Sequence, residues 1–401
     1  MKRKLLSLAV ALLCSVGLFA QASYNHTWTS GAEVAAGSDY FLYNIGAKKF
    51  LDNGMNWGTR ATVDNAGKAL TLALNEGKYS IYTGVKTRYG GGGGGDYFNN
   101  GYMDGAVAYY TFTPVSVAGY SNVYTISDGT NYLVYQTDAE GDNPACNMTS
   151  LSETNNDYWL LVTKDQRRDV GDYTFMLDNT CFNRPWENKA WTLTVNSTGT
   201  DGNATPNQSG GLVANRCAES FRNDFTYLQN ATGTVINGKY KLYCQGFYRK
   251  DGGSDASQIS LNTATADMKV LNGNSEGTTE NMNGASTAFS AGQYVNSVEA
   301  LVTSGSLSVG IKNTNNMNWV IWNNFYLEYL GNNVEYYSPA AFTSGSATAS
   351  KWYAFEIEDA GMYKITSSKA ATISYTQDDS DDADDDVESE TIASDEGSFY
   401  K

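Results

Sequence analysis

The sequence predicts an all-β chain: a β-trefoil-like N-terminal domain, then a jelly-roll β-sandwich, then a partial β-rich C-terminal segment. Three observations carry that expectation. The 401 residues include 40 Gly and 29 Tyr but only 5 Pro, a composition of short aromatic strands joined by glycine and asparagine turns. A loose strand–turn–strand repeat recurs about every ~40 residues in the first part of the chain. Longer alternating strands follow, with neither the βαβ rhythm nor the sustained helical period that a TIM barrel requires.

Residues 1–22 read as an export signal. Lys2, Arg3 and Lys4 form a positive start, Leu5 to Ala20 an apolar stretch, and Ala20-Gln21-Ala22 a small-x-small cleavage pattern. The stretch is too short to anchor the protein in a bilayer. The mature chain is therefore expected to be secreted or at the cell surface, without membrane insertion.

Residues 35–168 are expected to form the trefoil. Tyr40-Phe41-Leu42-Tyr43-Asn44 is followed after a turn by Phe50-Leu51, and Tyr124-Thr125-Ile126-Ser127-Asp128 by Tyr132-Leu133. Tyr79-Ser80-Ile81-Tyr82 opens a degenerate third copy, stretched by the run Gly90 to Gly95. That run lacks the Gly-Lys-Ser/Thr ending of a phosphate loop, so a surface loop is the better reading. In its periodicity the region resembles ricin-type lectin trefoils, without their Gln-x-Trp signature.

Residues 172–332 are expected to form the sandwich. Tyr240, Leu242 and Cys244 fall on one side of a strand. Val298, Ala300 and Val302, then Leu307, Val309 and Ile311, alternate about Thr303-Ser304-Gly305, which predicts a hairpin with one buried face. The stretches "NTCFNRPWENKAWTL" (179–193), "NRCAESF" (215–221), "VINGKYKLYCQGFYR" (235–249), "AFSAGQYVNSVEALVTSGSLSVGIKN" (288–313) and "WVIWNNFYLEYLG" (319–331) resemble a galactose-binding-like carbohydrate-binding module. Such modules occur in secreted multi-module proteins of polysaccharide-degrading gut bacteria. The resemblance implies a jelly-roll fold, a glycan or polysaccharide partner, and room for a structural calcium ion held by a carboxylate of the last strand. The family's Asp-Asn-Phe at that strand reads Asn323-Asn324-Phe325 here. A neutral amide oxygen thus replaces a charged ligand; apart from that ion, no cofactor is expected.

Residues 333–401 read as a partial β-sandwich segment. Trp352 to Ile357 and Met362 to Ile365 flank Glu358-Asp359-Ala360-Gly361 as an expected hairpin, before the acidic run "DDSDDADDDVESE" (378–390). That run lacks the glycine of a calcium-binding EF-hand loop and reads as solvated.

The formal charge of −16 argues against nucleic acid or anionic membrane as partner, since both recruit basic patches. The four cysteines beyond the signal, Cys146, Cys181, Cys217 and Cys244, allow three disulfide pairings that sequence cannot rank. The only histidine is His26, close to the expected mature terminus, which disfavours nucleophile–histidine catalysis. Many carboxylates exist, but no motif selects the facing pair that glycoside hydrolysis needs, and no catalytic residue is assigned.

A saccharide site needs an aromatic ring against the C–H face of the sugar and planar polar groups for its hydroxyls. In the sandwich the rim candidates are Trp186 and Glu187 in the first loop, Tyr248 and Arg249 after a central strand, and Trp322 and Asn323 before the last strand. Trp319 and Trp322, three residues apart, should face opposite sides, one buried and one available. The resulting expectation is a secreted, non-catalytic glycan-binding protein. Its competitors are a carbohydrate-active hydrolase, or an accessory piece of one, and an adhesive surface protein with protein partners.

Overall fold

The computed structural model describes residues 25–331 except 55–57, 86–94, 138, 140–142, 185–189, 204–206, 251, 253–254, 272–280 and 303–304, and six strands beyond 331. The expected signal, the Gly90–Gly94 part of the glycine run and acidic residues 378–387 lie outside the described residues. Two compact units make up the chain, Met1–Asn333 and Val334–Lys401.

The first unit opens with three four-strand repeats. The first holds β1 (Gly37–Asn44), β2 (Lys49–Gly54), β3 (Arg60–Asp64) and β4 (Leu70–Asn75). The second holds β5 (Lys78–Tyr82), β6 (Tyr97–Asn99), β7 (Tyr102–Gly105) and β8 (Thr111–Val115). The third holds β9 (Val123–Ser127), β10 (Tyr132–Tyr135), β11 (Cys146–Thr149) and β12 (Trp159–Thr163). The outer strands of the repeats close a six-stranded barrel: β1 pairs with β12 and β4, β4 with β5, β8 with β9, and β9 with β12. The remaining seam, β5 to β8, is sealed by reciprocal 2.8 Å bonds between Tyr79 and Tyr110. The inner pairs β2–β3, β6–β7 and β10–β11 form three hairpins. This is a β-trefoil, and closure leaves the barrel no free edge. Its core takes equivalent residues from each repeat, among them Leu42, Ile81 and Ile126 from the barrel and Leu51, Phe98 and Leu133 from the hairpins.

Helix α1 (Lys164–Asp169), started by a Thr163/Gln166 capping box, leads out of the trefoil. The sandwich follows as β13 (Thr192–Thr198), β14 (Asn207–Gly210), β15 (Cys217–Phe221), β16 (Asn223–Asn230), β17 (Gly238–Lys250), β18 (Gln258–Leu261), β19 (Ala264–Asp267), β20 (Lys269–Val270), α2 (Met282–Ser290), β21 (Val295–Val302), β22 (Ser308–Asn313) and β23 (Asn318–Tyr329). One sheet runs β13-β16-β22-β18-β19; the other runs β14-β15-β23-β17-β20, with β21 on β17. Tyr240, Leu242, Cys244, Val298, Val302, Leu307, Val309 and Ile311 all enter the core between the sheets.

The expected hairpin between Val298 and Ile311 does not form. β21 pairs with β17 in one sheet, and β22 with β16 and β18 in the other. Alternation tells which face of a strand is buried, and that face is the same whether two strands are neighbours or oppose each other across a core.

In the second unit, β24 (Val334–Tyr337) pairs in parallel with β25 (Trp352–Phe355), β26 (Tyr363–Thr366) with β29 (Gly397–Tyr400), and β27 (Ala371–Tyr375) with β28 (Glu388–Ile392). The hairpin expected between Trp352 and Ile365 is therefore replaced by pairings over longer range.

Trefoil and sandwich are joined by buried polar contacts. Asp64, at the end of β3, accepts from the backbone of Thr180 (3.2 Å) and Cys181 (2.8 Å) and from the Thr180 hydroxyl. Asn183 Nδ2 donates to Val63 O at 2.8 Å, and Asn65 Nδ2 to Phe325 O at 3.1 Å. Arg167, fully buried, lies over the rings of Phe50 (4.2 Å) and Phe41 (4.6 Å). Its Nε donates to Asp172 at 2.7 Å and its Nη atoms to the carbonyls of Ala66 and Asn65. A buried guanidinium is tolerated only with such complete pairing.

Candidate functional site

Of the residues expected at the sandwich rim, the four that are described, Tyr248, Arg249, Trp322 and Asn323, do not gather into an open site. Trp186 and Glu187 lie outside the described residues. Trp322 is 1% exposed. It projects between the sheets, stacked on Phe225 at 5.5 Å and near Tyr227 and Phe182. Trp319 faces the other way, as alternation requires, yet it is buried too. That face is covered by α2, with Phe247, Phe289 and Ile321 in the same cluster, and Trp319 Nε1 donates to Glu219 at 2.9 Å. The expectation that one indole stays available fails because a helix closes the outer side. Tyr248 is buried in the inter-sheet core, and Arg249, half-buried, sits over Trp319 at 5.2 Å.

Asn323 is fully buried as well. β23 bulges where Tyr243 and Gln245 of β17 face Tyr326 and Asn323, with Asn324 in the left-handed region at φ 50°. The bulge gathers amides: Asn323 and Asn324 both donate to Asn215 Oδ1 (2.5 and 2.8 Å), and Asn324 also donates to Gln245 Oε1 at 2.6 Å. Asn324 Oδ1 accepts from Lys49 of the trefoil at 2.8 Å. The partners in these contacts are amides and one ammonium group. Among the described residues, no group of three His, Cys, Asp or Glu side chains is placed to hold a metal ion.

The four cysteines are buried and unpaired. Burial pushes the thiols of Cys181 and Cys217 up to about 12.

An open aromatic face exists elsewhere, on the second hairpin of the trefoil. β6 and β7 are joined by Asn100-Gly101, with φ of 48° and 80°, the two-residue turn whose twist suits a hairpin. Glycine is required at 101, where a Cβ would meet Pro144 Cγ at 2.6 Å. Phe98 and Met103 point into the core with no exposure, so alternation turns Tyr97, Asn99, Tyr102 and Asp104 outward. Tyr82 of β5 is the register partner of Tyr97, and their rings meet edge to face at 5.4 Å. Arg60 is the register partner of Tyr102 and places its guanidinium 4.2 Å from that ring centre. Tyr82 and Tyr102 are each 38% exposed.

The face therefore offers three tyrosines, a guanidinium, an amide and a carboxylate on a hairpin fixed from below. Phe98 O accepts from Tyr110 at 3.1 Å, and Met103 O from the Thr83 hydroxyl. Sequence reasoning missed this face because it sits in the degenerate repeat. The legible signal was Asn-Gly between "DYFN" and "YMDG", two short alternating runs.

No family model matches the chain, and none of the curated proteins matches it. Among solved structures, the ricin B-like lectin of Macrolepiota procera in complex with lactose is similar over 33% of this chain and 99% of its own, with 10% identity and a TM-score of 0.26. A designed three-fold symmetric protein, ThreeFoil, is similar over 31% of this chain and 96% of its own, with 14% identity and a TM-score of 0.22. TmCBM61 in complex with β-1,4-galactotriose is similar over 38% of this chain and 97% of its own, with 11% identity and a TM-score of 0.23. At these scores the trefoil and sandwich assignments rest on the strand pairings given above.

Proposed function

We propose that this protein is a secreted or surface-held, non-catalytic glycan-binding protein, and that the outer face of the second trefoil hairpin holds the saccharide. The observation that carries the proposal is the set Tyr82, Tyr97 and Tyr102, partly open to solvent beside Arg60, Asn99 and Asp104. Tyrosine rings supply flat apolar faces at small entropic cost, and the adjacent planar groups can pair with neighbouring hydroxyls. The face lies on regular strands, which suits holding a ligand in a fixed geometry. The resemblance of 172–332 to galactose-binding-like modules supports the same reading. A rim site on the sandwich built on Trp186 and Glu187 would be a second point of attachment, raising avidity by effective concentration.

Affinity electrophoresis on a panel of soluble polysaccharides tests this. Retardation of the wild-type chain that is lost in Tyr82→Ala and Tyr102→Ala supports the hairpin site, and loss in Trp186→Ala instead moves the site to the sandwich. Release of reducing sugar would favour the hydrolase reading. Capture of a surface protein that free sugars do not displace would favour adhesion.

A further inference from the structure

The trefoil–sandwich junction holds a charge arrangement that saccharide binding does not use. Asp52 of β2 is 2% exposed. The described charged groups that act on it are Asp64 of β3, Lys68 of the following turn, and Asp178 and Arg184 of the loop entering the sandwich. Arg184 is already engaged in a two-pronged ion pair with Asp178, with Nη1 to Oδ2 at 3.0 Å. Burial works against the Asp178 carboxylate, but the Arg184 guanidinium outweighs it and holds that group below its usual range. The other junction cations are committed elsewhere, Arg167 to Asp172 and Lys49 to Asn324. In the β2–β3 register Asp52 faces Thr62 and Asp64 faces Phe50, so the two buried carboxyls stand two positions apart on one face of paired strands, and the nearby Arg184 guanidinium is shared with Asp178. Asp64 is the group that holds Thr180 and Cys181.

We propose that this junction is a proton-sensitive latch: while Asp52 carries a proton the 178–184 loop stays seated on the trefoil, and ionisation of Asp52 beside Asp64 loosens that seat. Burial raises the Asp52 carboxyl to about 7, with Asp64 and Asp178 adding to the rise and Arg184 and Lys68 opposing it. The sign follows from linkage. A carboxyl whose folded value is raised stabilises fully below its unfolded value near 4, and the contribution is lost as pH climbs through about 7. The latch is closed in mild acid and slackens at mildly alkaline pH, independently of whether any glycan binds.

Hydrogen exchange at the Thr180 and Cys181 amides reads the seat directly. In the full chain, protection normalised for intrinsic rates should fall about tenfold or more between pH 5 and pH 8. In Asp52→Asn, which is neutral throughout, the same interval should change protection less than about threefold. An equal pH response in both proteins overturns the proposal. Should Asp52→Asn not fold, a titration of wild-type protein labelled with carboxyl-¹³C aspartate decides the matter. A midpoint near 7 for the most buried resonance supports the latch, and the absence of any midpoint above about 5 overturns it.

Discussion

Replacing Asp64 with alanine probes the joint between trefoil and sandwich at the residue that most donors share. Its carboxylate accepts from Ala66 N at 2.9 Å, Thr180 N at 3.2 Å, Cys181 N at 2.8 Å and the Thr180 hydroxyl. After truncation the hydroxyl can rotate to another acceptor, and Ala66 N keeps its 3.2 Å bond to Thr180 Oγ1. The amides of Thr180 and Cys181 remain, on residues that are 0% and 1% exposed. Each buried unpaired donor costs about 1–3 kcal/mol, so the gross loss is about 2–6 kcal/mol. Where Asp52 is ionised, relief of its repulsion with Asp64 returns part of this, which leaves an expected loss of about 1–4 kcal/mol. Urea unfolding followed by tryptophan fluorescence measures it as a lower midpoint at unchanged slope for the transition that includes the junction. Asp64→Asn keeps an acceptor in place and should lose less than half as much. A loss below about 1 kcal/mol for Asp64→Ala would refute the reasoning, because the junction would then not depend on this carboxylate.

Three further outcomes are expected. Trp322→Ala should cost about 3–5 kcal/mol in the same unfolding assay, because a large ring packed on Phe225 and Tyr227 leaves a cavity; a stable variant with altered glycan binding would instead make Trp322 a contact residue. Gly101→Ala should lower stability by about 1–3 kcal/mol, given φ of 80° and the approach to Pro144, and should weaken any binding at the hairpin in parallel. Cys146, Cys217 and Cys244, which lie outside the 178–184 loop, should resist a thiol reagent at pH 8 in native protein and all react in urea, because burial favours the neutral thiol; early labelling of any of them would contradict the packing.

What the sequence could show was set by local period. The repeat starts expected at Tyr40, Tyr79 and Tyr124 fall inside β1, β5 and β9, because each barrel strand must put similar apolar residues into one shared core. Trp322 was legible as facing opposite to Trp319, but not as inaccessible. The helix covering Trp319 has the sequence "MNGASTAFS", whose glycine, serines and threonine are weak helix formers; it is held by the Asn281 cap and by burial of Ala285, Ala288 and Phe289. The junction had no local signature at all. Asp64 and Thr180 are 116 residues apart, and only the assembled strands bring them together. The tyrosine face was half legible: its Asn-Gly turn was readable, whereas the pairing of Tyr82 with Tyr97 and of Arg60 with Tyr102 depends on tertiary register.

The most direct test of the central claim is a glycan array probed with the wild-type chain and with a Tyr97→Ala/Tyr102→Ala double variant of matched folding. Saccharide binding by the wild type that falls at least tenfold in the double variant is the predicted result. Undiminished binding by the double variant, or no saccharide bound by a correctly folded wild-type chain, would contradict it.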